Sequence, residues 1–158
     1  MSYVGKPPTL SSEEVKSILE KNSTARICTY NKDGTIHAIP VSYRYMNGQV
    51  VIGSLASSRK TRNIKRNKNV TVLIDNEKAQ GILIYGKAEV EYDNVYQTAL
   101  LVWEKAIHAP RDRLERFVRA YLNAVKYVMI RITPQHIATF DAMKDGVWNN
   151  LVKTYLQK

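Results

Sequence analysis

Two turn signals and the extended runs around them constrain this chain most. Asn47-Gly48 is the strongest two-residue hairpin signal a sequence offers, because a type I′ turn needs positive φ at both central positions and these two residues tolerate it best. It joins residues 35–45, mixed apolar and polar, to residues 49–54, rich in Val and Ile. Asn-Lys-Asp-Gly at 31–34 is a second hairpin turn, linking 35–45 back to an extended run at 25–30. Three antiparallel strands therefore follow one another directly. Residues 70–75 and 81–92 read as a fourth and fifth strand around a polar turn at 76–80, the fifth alternating Ala88, Val90, Tyr92 against Lys87, Glu89, Glu91. Residues 127–133 read as a sixth, which Pro134 interrupts before 135–140 become extended again.

The helical signals lie outside this run of strands. Residues 9–22 carry Ser11 and Glu14 at capping-box spacing and an apolar stripe of Val15, Ile18 and Leu19, suited to lie across a barrel end. Residues 94–125 hold two helices separated by His108-Ala109-Pro110: Val95, Ala99, Val102 and Ala106 share one face of the first, and Leu114, Phe117, Val118, Tyr121, Leu122 and Val125 one face of the second. A terminal helix at about 146–157 aligns Trp148, Leu151, Val152, Tyr155 and Leu156, a stripe that must cover something on this subunit or another. Trp148 is expected in the core, with a place in a pocket roof as the other reading. Strands in runs, with helices that do not alternate with them, favour an antiparallel barrel over a parallel doubly wound sheet. The expectation is a mainly β (α+β) single domain over residues 1–158.

Composition narrows the partners. No run approaches the roughly eighteen apolar residues of a membrane span. The first residues lack the apolar core of a secretory signal, and the one cysteine, Cys28, cannot form an internal disulfide, so a cytoplasmic location is expected. Cys28 reads as a small buried strand residue. A formal charge of +10, from 24 Lys and Arg against 14 Asp and Glu, implies attraction to an anion without saying which.

The cations cluster where a phosphate would be held. Residues 54–63, Ser-Leu-Ala-Ser-Ser-Arg-Lys-Thr-Arg-Asn, place hydroxyls, paired cations and a helix start within ten residues after a strand. Helix-start N–H groups and serine hydroxyls donate, Arg59 grips two phosphate oxygens, and Lys60 adds a compact charge. The bland alternative is that Arg59, Lys60, Arg62, Lys65, Arg66 and Lys68 form a solvated basic face. His37, His108 and His136 lack metal-ligand spacing, and no nucleophile-base pair is evident, so no metal and no catalytic residue is assigned.

The order of the run from Ala25 (Ala-Arg-Ile-Cys-Thr-Tyr-Asn-Lys-Asp-Gly-Thr-Ile-His-Ala-Ile-Pro-Val), then Ser-Arg-Lys-Thr-Arg-Asn-Ile, then Val70 onward and Gly-Ile-Leu-Ile-Tyr-Gly-Lys-Ala-Glu-Val from Gly81, resembles the pyridoxamine 5'-phosphate oxidase-like flavoproteins over about residues 10–140. That resemblance implies a six-stranded antiparallel split β-barrel and a homodimer holding two flavin mononucleotides (FMN) at the interface, each touched by both chains. By position, the strand through His37, Ala38, Ile39, Pro40, Val41 and Ser42 would run along the flavin ring and offer it backbone groups. Ser54, Ser58, Arg59, Lys60 and Asn63 would surround the phosphate. Gly81 stands where the oxidase has a glutamine, so that contact is lost or passes to Gln80, and Phe140 replaces a tryptophan wall. His37 either touches flavin or substrate or is an ordinary strand histidine. Tyr43 and Tyr45 share one face and read as packing residues.

The implied function is an FMN-dependent oxidoreductase acting on an unassigned small molecule, the hydride passing through flavin N5. The C-terminus, Gly-Val-Trp-Asn-Asn-Leu-Val-Lys-Thr-Tyr-Leu-Gln-Lys, lacks the oxidase's Arg-Leu-His-type element, which argues against true pyridoxamine phosphate oxidase activity. The alternatives are a deazaflavin-dependent reductase and a non-enzymatic flavin or heme carrier or sensor. Nucleic acid is the least favoured partner, because the basic run has no interleaved aromatic residues to stack on bases.

Overall fold

The computed structural model describes residues 8–157; residues 1–7, which carry the expectation that no secretory signal precedes the fold, and Lys158 lie outside the described residues. Six strands close into an antiparallel barrel in the order β1-β2-β3-β6-β5-β4: β1 Thr24–Tyr30, β2 Ile36–Met46, β3 Gln49–Leu55, β4 Asn69–Asp75, β5 Gln80–Glu91 and β6 Tyr127–Asp141. Asn47 and Gly48 turn between β2 and β3 with φ of 52° and 75°, the pair of positive angles that Asn-Gly supplies at least cost.

Side chains of alternate parity fill the barrel. Ile27, Ile52, Ile74, Ile84 and Ile130 are fully buried, each worth about 1.5–3 kcal/mol of transfer free energy. Helix α1 (Ser12–Lys21) closes one end with Ile18 and Leu19, as its stripe predicted, and Tyr43 reaches out of the core to donate to the Leu19 carbonyl at 3.1 Å. Ile64 of α2 (Arg59–Arg66) closes the other. Helices α3 (Val95–Ala106) and α4 (Arg111–Ala124) form a second core outside the barrel, Ala99, Val102, Leu114 and Val118 packing over Val51 and Met129.

Two features of the ladder split the barrel. β2 pairs with β1 through residues 36–42 but with β3 only through 43–46, so the other edge of 36–42 has no ladder partner among the described residues. β6 pairs with β3 only as far as Ile132, and beyond it runs on against β5 alone to Asp141. This corrects the expected interruption at Pro134. The strand is continuous, and a bulge opposite Tyr85 and Gly86 leaves Gln135 without a ladder partner. A proline survives there because the strand has no neighbour on its far side.

Three side chains depart from expectation. Cys28 is half-buried rather than buried, because it faces outward from the sheet. Phe117 is 51% exposed at the rim of α4, although it shares rings with Trp103 and Tyr121. Trp148, expected in the core, is 55% exposed, because α5 (Gly146–Tyr155) buries none of its residues fully.

Candidate anion and cofactor site

The stretch after β3 forms a tight corner. The Ala56 N–H donates to the Lys126 carbonyl at 2.9 Å and the Ser58 N–H to the Leu55 carbonyl at 3.0 Å, turning the chain into α2. Ser58 is the N-cap, its Oγ accepting from the Thr61 N–H at 3.3 Å. The hydroxyls of Ser54, Ser58 and Thr61 lie in a triangle with edges of 2.8, 2.8 and 3.0 Å, and Thr61 also donates to the Leu55 carbonyl at 3.0 Å. Ser54 and Thr61 are buried, so of these three hydroxyls only that of Ser58 belongs to a partly exposed residue.

The basic run divides by use. Arg62 donates to the Ser57 carbonyl at 2.8 Å, Arg66 to the Tyr30 carbonyl at 2.6 Å and to Asn63 Oδ1 at 2.9 Å, and Lys68 pairs with Glu89 at 3.0 Å. Lys65 sits over the Tyr92 ring at 5.3 Å. Arg59 and Lys60 make no hydrogen bond or ion pair among the described residues. Lys60 is half-buried, and that burial pushes its amine below the ordinary lysine pKa. Arg59 lines an open cleft of about 610 Å³ with Asn31, Lys32, Asp33 and Thr35 of the β1–β2 turn. Asp33 is held below the usual carboxylate range chiefly by the Thr35 hydroxyl and N–H, with Arg59 adding a smaller attraction.

Asn63, grouped with the phosphate residues by sequence, is buried and fully engaged. Its amide donates to Thr29 Oγ1 and Asn31 Oδ1 at 3.0 and 3.1 Å while its oxygen accepts from Arg66. It locks α2 onto the barrel rather than facing the cleft.

The predicted ring strand runs away from this corner. His37, Ile39 and Val41 point to one face, the last two packing on the core, and Ala38, Pro40 and Ser42 to the other, so no single face presents all six. What they share is the open backbone edge of residues 36–42. Gln80, Gly81 and Phe140 lie at the opposite end of the barrel, about six residues or roughly 20 Å along the strands from the α2 corner. There Gln80 donates to Asp141 Oδ2 and accepts from Asn76, both at 3.0 Å. The Phe140 ring lies over Gly81, where a Cβ would come within 2.3 Å of it. Within one chain, then, the fold gathers Ser54, Ser58, Arg59 and Lys60 and leaves Gln80, Gly81 and Phe140 apart. Sequence reading overlooked Thr61, which its spacing of three from a serine N-cap would have flagged.

Residues 11–141 match the family model of pyridoxamine 5'-phosphate oxidase. Among solved structures, the conserved hypothetical protein Rv2991 from Mycobacterium tuberculosis superposes with a TM-score of 0.76 at 21% identity, covering 89% of this chain and 90% of that one. An F420 reductase gives 0.61 at 18% identity over 78% and 94% of the two chains. General Stress Protein 26 from Bacillus anthracis gives 0.59 at 20% identity over 81% and 92%. No curated protein matches in sequence. The family match spans every strand of the barrel and the α2 corner, and the chain belongs to the pyridoxamine 5'-phosphate oxidase family.

Proposed function

We propose that the chain is an FMN-dependent oxidoreductase that works as a homodimer on a small molecule still to be identified. The observation that carries this reading is Lys60: a half-buried ammonium without an anionic partner among the described residues, beside an exposed Arg59 at a capped helix start whose only anionic neighbour described is Asp33 across an open cleft. A desolvated cation of this kind is stabilised by an anion of fixed position, and a phosphate monoester satisfies it with charge and with acceptors for Arg59 and Ser58. Ser54 and Thr61 hold Ser58 in place, and the open edge of residues 36–42 offers unpaired backbone donors and acceptors to the polar edge of a planar ring. A bound flavin would supply hydride acceptance at N5, with the protein contributing binding, orientation and electrostatics.

The separation of the two residue groups supports a dimer. Phe140 and Gln80 lie too far from their own α2 corner to meet one flavin there, so a partner chain is the natural source of the second wall. The outer sheet face between the groups is apolar and short of charge. Across one row it presents Ala38, Cys28, Thr71, Tyr85 and His136, and across the next Pro40, Arg26, Leu73, Leu83 and Ala138, with Arg26 paired to Asp75. On a chain of net charge +10, a neutral face of this extent suits contact with a second copy.

The test is the absorbance spectrum of purified protein after incubation with FMN and removal of the unbound fraction. A retained two-banded flavin spectrum that is bleached by a nicotinamide reductant supports the reading. Protein that neither retains nor rebinds any flavin refutes it. A deazaflavin is the second reading, favoured by the same two cations, since its acidic tail would also need them; preferential binding of that cofactor over FMN would select it.

A further inference from the structure

The split in the barrel has two edges and one apex. Across the gap from the open edge of residues 36–42, Gly53, Ser54 and Leu55 of β3 pair with β6 and with no residue of β2. The last β2–β3 pair at this end is Tyr43 with Ile52, both wholly buried inside the barrel. Ser42 and Gly53 are therefore the first residues on either side of the opening, and by alternation both belong to the outer face of the sheet.

The hydroxyl of Tyr127 lies at that apex. Tyr127 starts β6 opposite Leu55, and its ring leans diagonally across β3: a Cβ on Gly53 would stand 2.2 Å from the phenol oxygen and 2.6 and 2.7 Å from the two nearest ring carbons. A glycine at 53 is what lets the phenol come so close to the strand. Trp103 and Tyr121 hold the ring from behind, edge to face at centroid distances of 5.5 and 5.6 Å. The Trp103 indole N–H, a donor only, is directed at the phenol oxygen, which leaves the Tyr127 proton to be donated. Neither that hydroxyl nor the one of Ser42 has an acceptor among the described residues. Burial, with the neighbouring Tyr121, pushes the phenol up to about 12, so it remains a donor at any ordinary pH.

Two unused hydroxyl donors thus flank one end of the opening whose other end leads to Ser58, Arg59 and Lys60. The anion corner begins at Leu55, two residues or roughly 7 Å along β3 from Gly53, a span suited to the ribityl chain between a flavin's phosphate and its ring. We propose that Tyr127 is a cofactor-contacting residue, its hydroxyl donating to a carbonyl oxygen on the polar edge of the flavin ring, with Ser42 as the second donor across the apex. This rests on the flavin reading above and deepens it, because the ring strand by itself offers only backbone groups.

The experiment is Tyr127→Phe, which keeps the ring that packs on Trp103 and Tyr121 and removes only the hydroxyl. In fluorescence titrations the variant should bind FMN and riboflavin each about 3–10-fold more weakly than wild type, the worth of one neutral hydrogen bond. In infrared difference spectra a flavin carbonyl band should move to higher frequency. A variant that binds both flavins as wild type does, with unmoved carbonyl bands, overturns the proposal and leaves the flavin reading standing. Weakening of FMN alone also overturns it, by placing the hydroxyl at the phosphate. A wild type that binds neither flavin overturns both. As a measurement that keeps the side chain, a fluorotyrosine placed at Tyr127 should shift its fluorine resonance when FMN or riboflavin saturates the protein; an unmoved resonance in protein that has bound FMN overturns the proposal.

Discussion

In the last turn of α2, Arg66 is tied to a backbone carbonyl and to Asn63, and Lys68 just beyond it is paired with Glu89. In the first turn, on the same helix and with the same residue types, Arg59 and Lys60 are tied to nothing of the kind, and Lys60 is half-buried as well. The last turn spends its charge holding the helix on the barrel. The first keeps its charge at a helix N-terminus, where the macrodipole already disfavours cations. That placement is electrostatically costly; Asp33 offsets part of it for Arg59, and in the proposed reading a bound anion would offset the rest. The contrast teaches that a basic run is divided, by what lies opposite each cation, into those that hold the helix and those left open to a ligand.

The contrast can be broken in order of expected effect. Replacing both first-turn cations, as Arg59→Ala/Lys60→Ala, should weaken FMN binding at least ~100-fold, since each charge-assisted hydrogen bond is worth about 1.5–3 kcal/mol, with little change in melting temperature. Arg66→Ala should do the reverse: it leaves the buried Asn63 oxygen without its donor, lowering stability by about 1–3 kcal/mol in urea unfolding while FMN affinity of the folded protein stays close to wild type. Lys60 should also impose a pH dependence. Its protonated form binds the anion, and its pKa is lowered by burial, so FMN affinity should fall as pH rises through a range where an ordinary lysine is still charged. Lys60→Arg should remove that alkaline loss. Smallest of all, Lys68→Ala should change stability by no more than about 1 kcal/mol, because its pairing with Glu89 is solvent-exposed.

A fifth effect lies at the far end of the barrel, where Lys144 pairs with Glu14 at 2.6 Å and, with the Ser11 N–H and hydroxyl, brings the Glu14 carboxyl down to about 2. The folded pKa lies below the unfolded one, so this contribution is complete above the unfolded value of about 4.5 and is lost as pH falls from there through about 2. Lys144→Met should flatten that part of the acid-unfolding curve and leave FMN affinity alone.

The strands were legible because their signals are local. Asn47-Gly48 sets its own turn, and alternation at Val70, Val72 and Ile74 fixes which side faces inward. The capping box of Ser11 and Glu14 and the apolar stripe of α1 were legible for the same reason. Pro134 misled because a proline's effect depends on whether a neighbouring strand needs its N–H, which is a question of topology. Trp148 misled because an apolar stripe shows that a face will be covered, not by which chain. The candidate site was half legible: Ser58, Arg59 and Lys60 could be picked from spacing and residue type. The commitment of Asn63 to Thr29 and Asn31, however, depends on contacts more than thirty residues apart in sequence. The wide separation of Phe140 from the α2 corner likewise follows from strand direction and register, which no short motif encodes.

The measurement that bears most directly on the anion site compares FMN with riboflavin, which has the same ring and no phosphate, by fluorescence titration of the wild-type protein. If Arg59, Lys60 and Ser58 hold a phosphate, FMN should bind at least ~100-fold more tightly. Equal affinities, or binding of neither flavin, would contradict it.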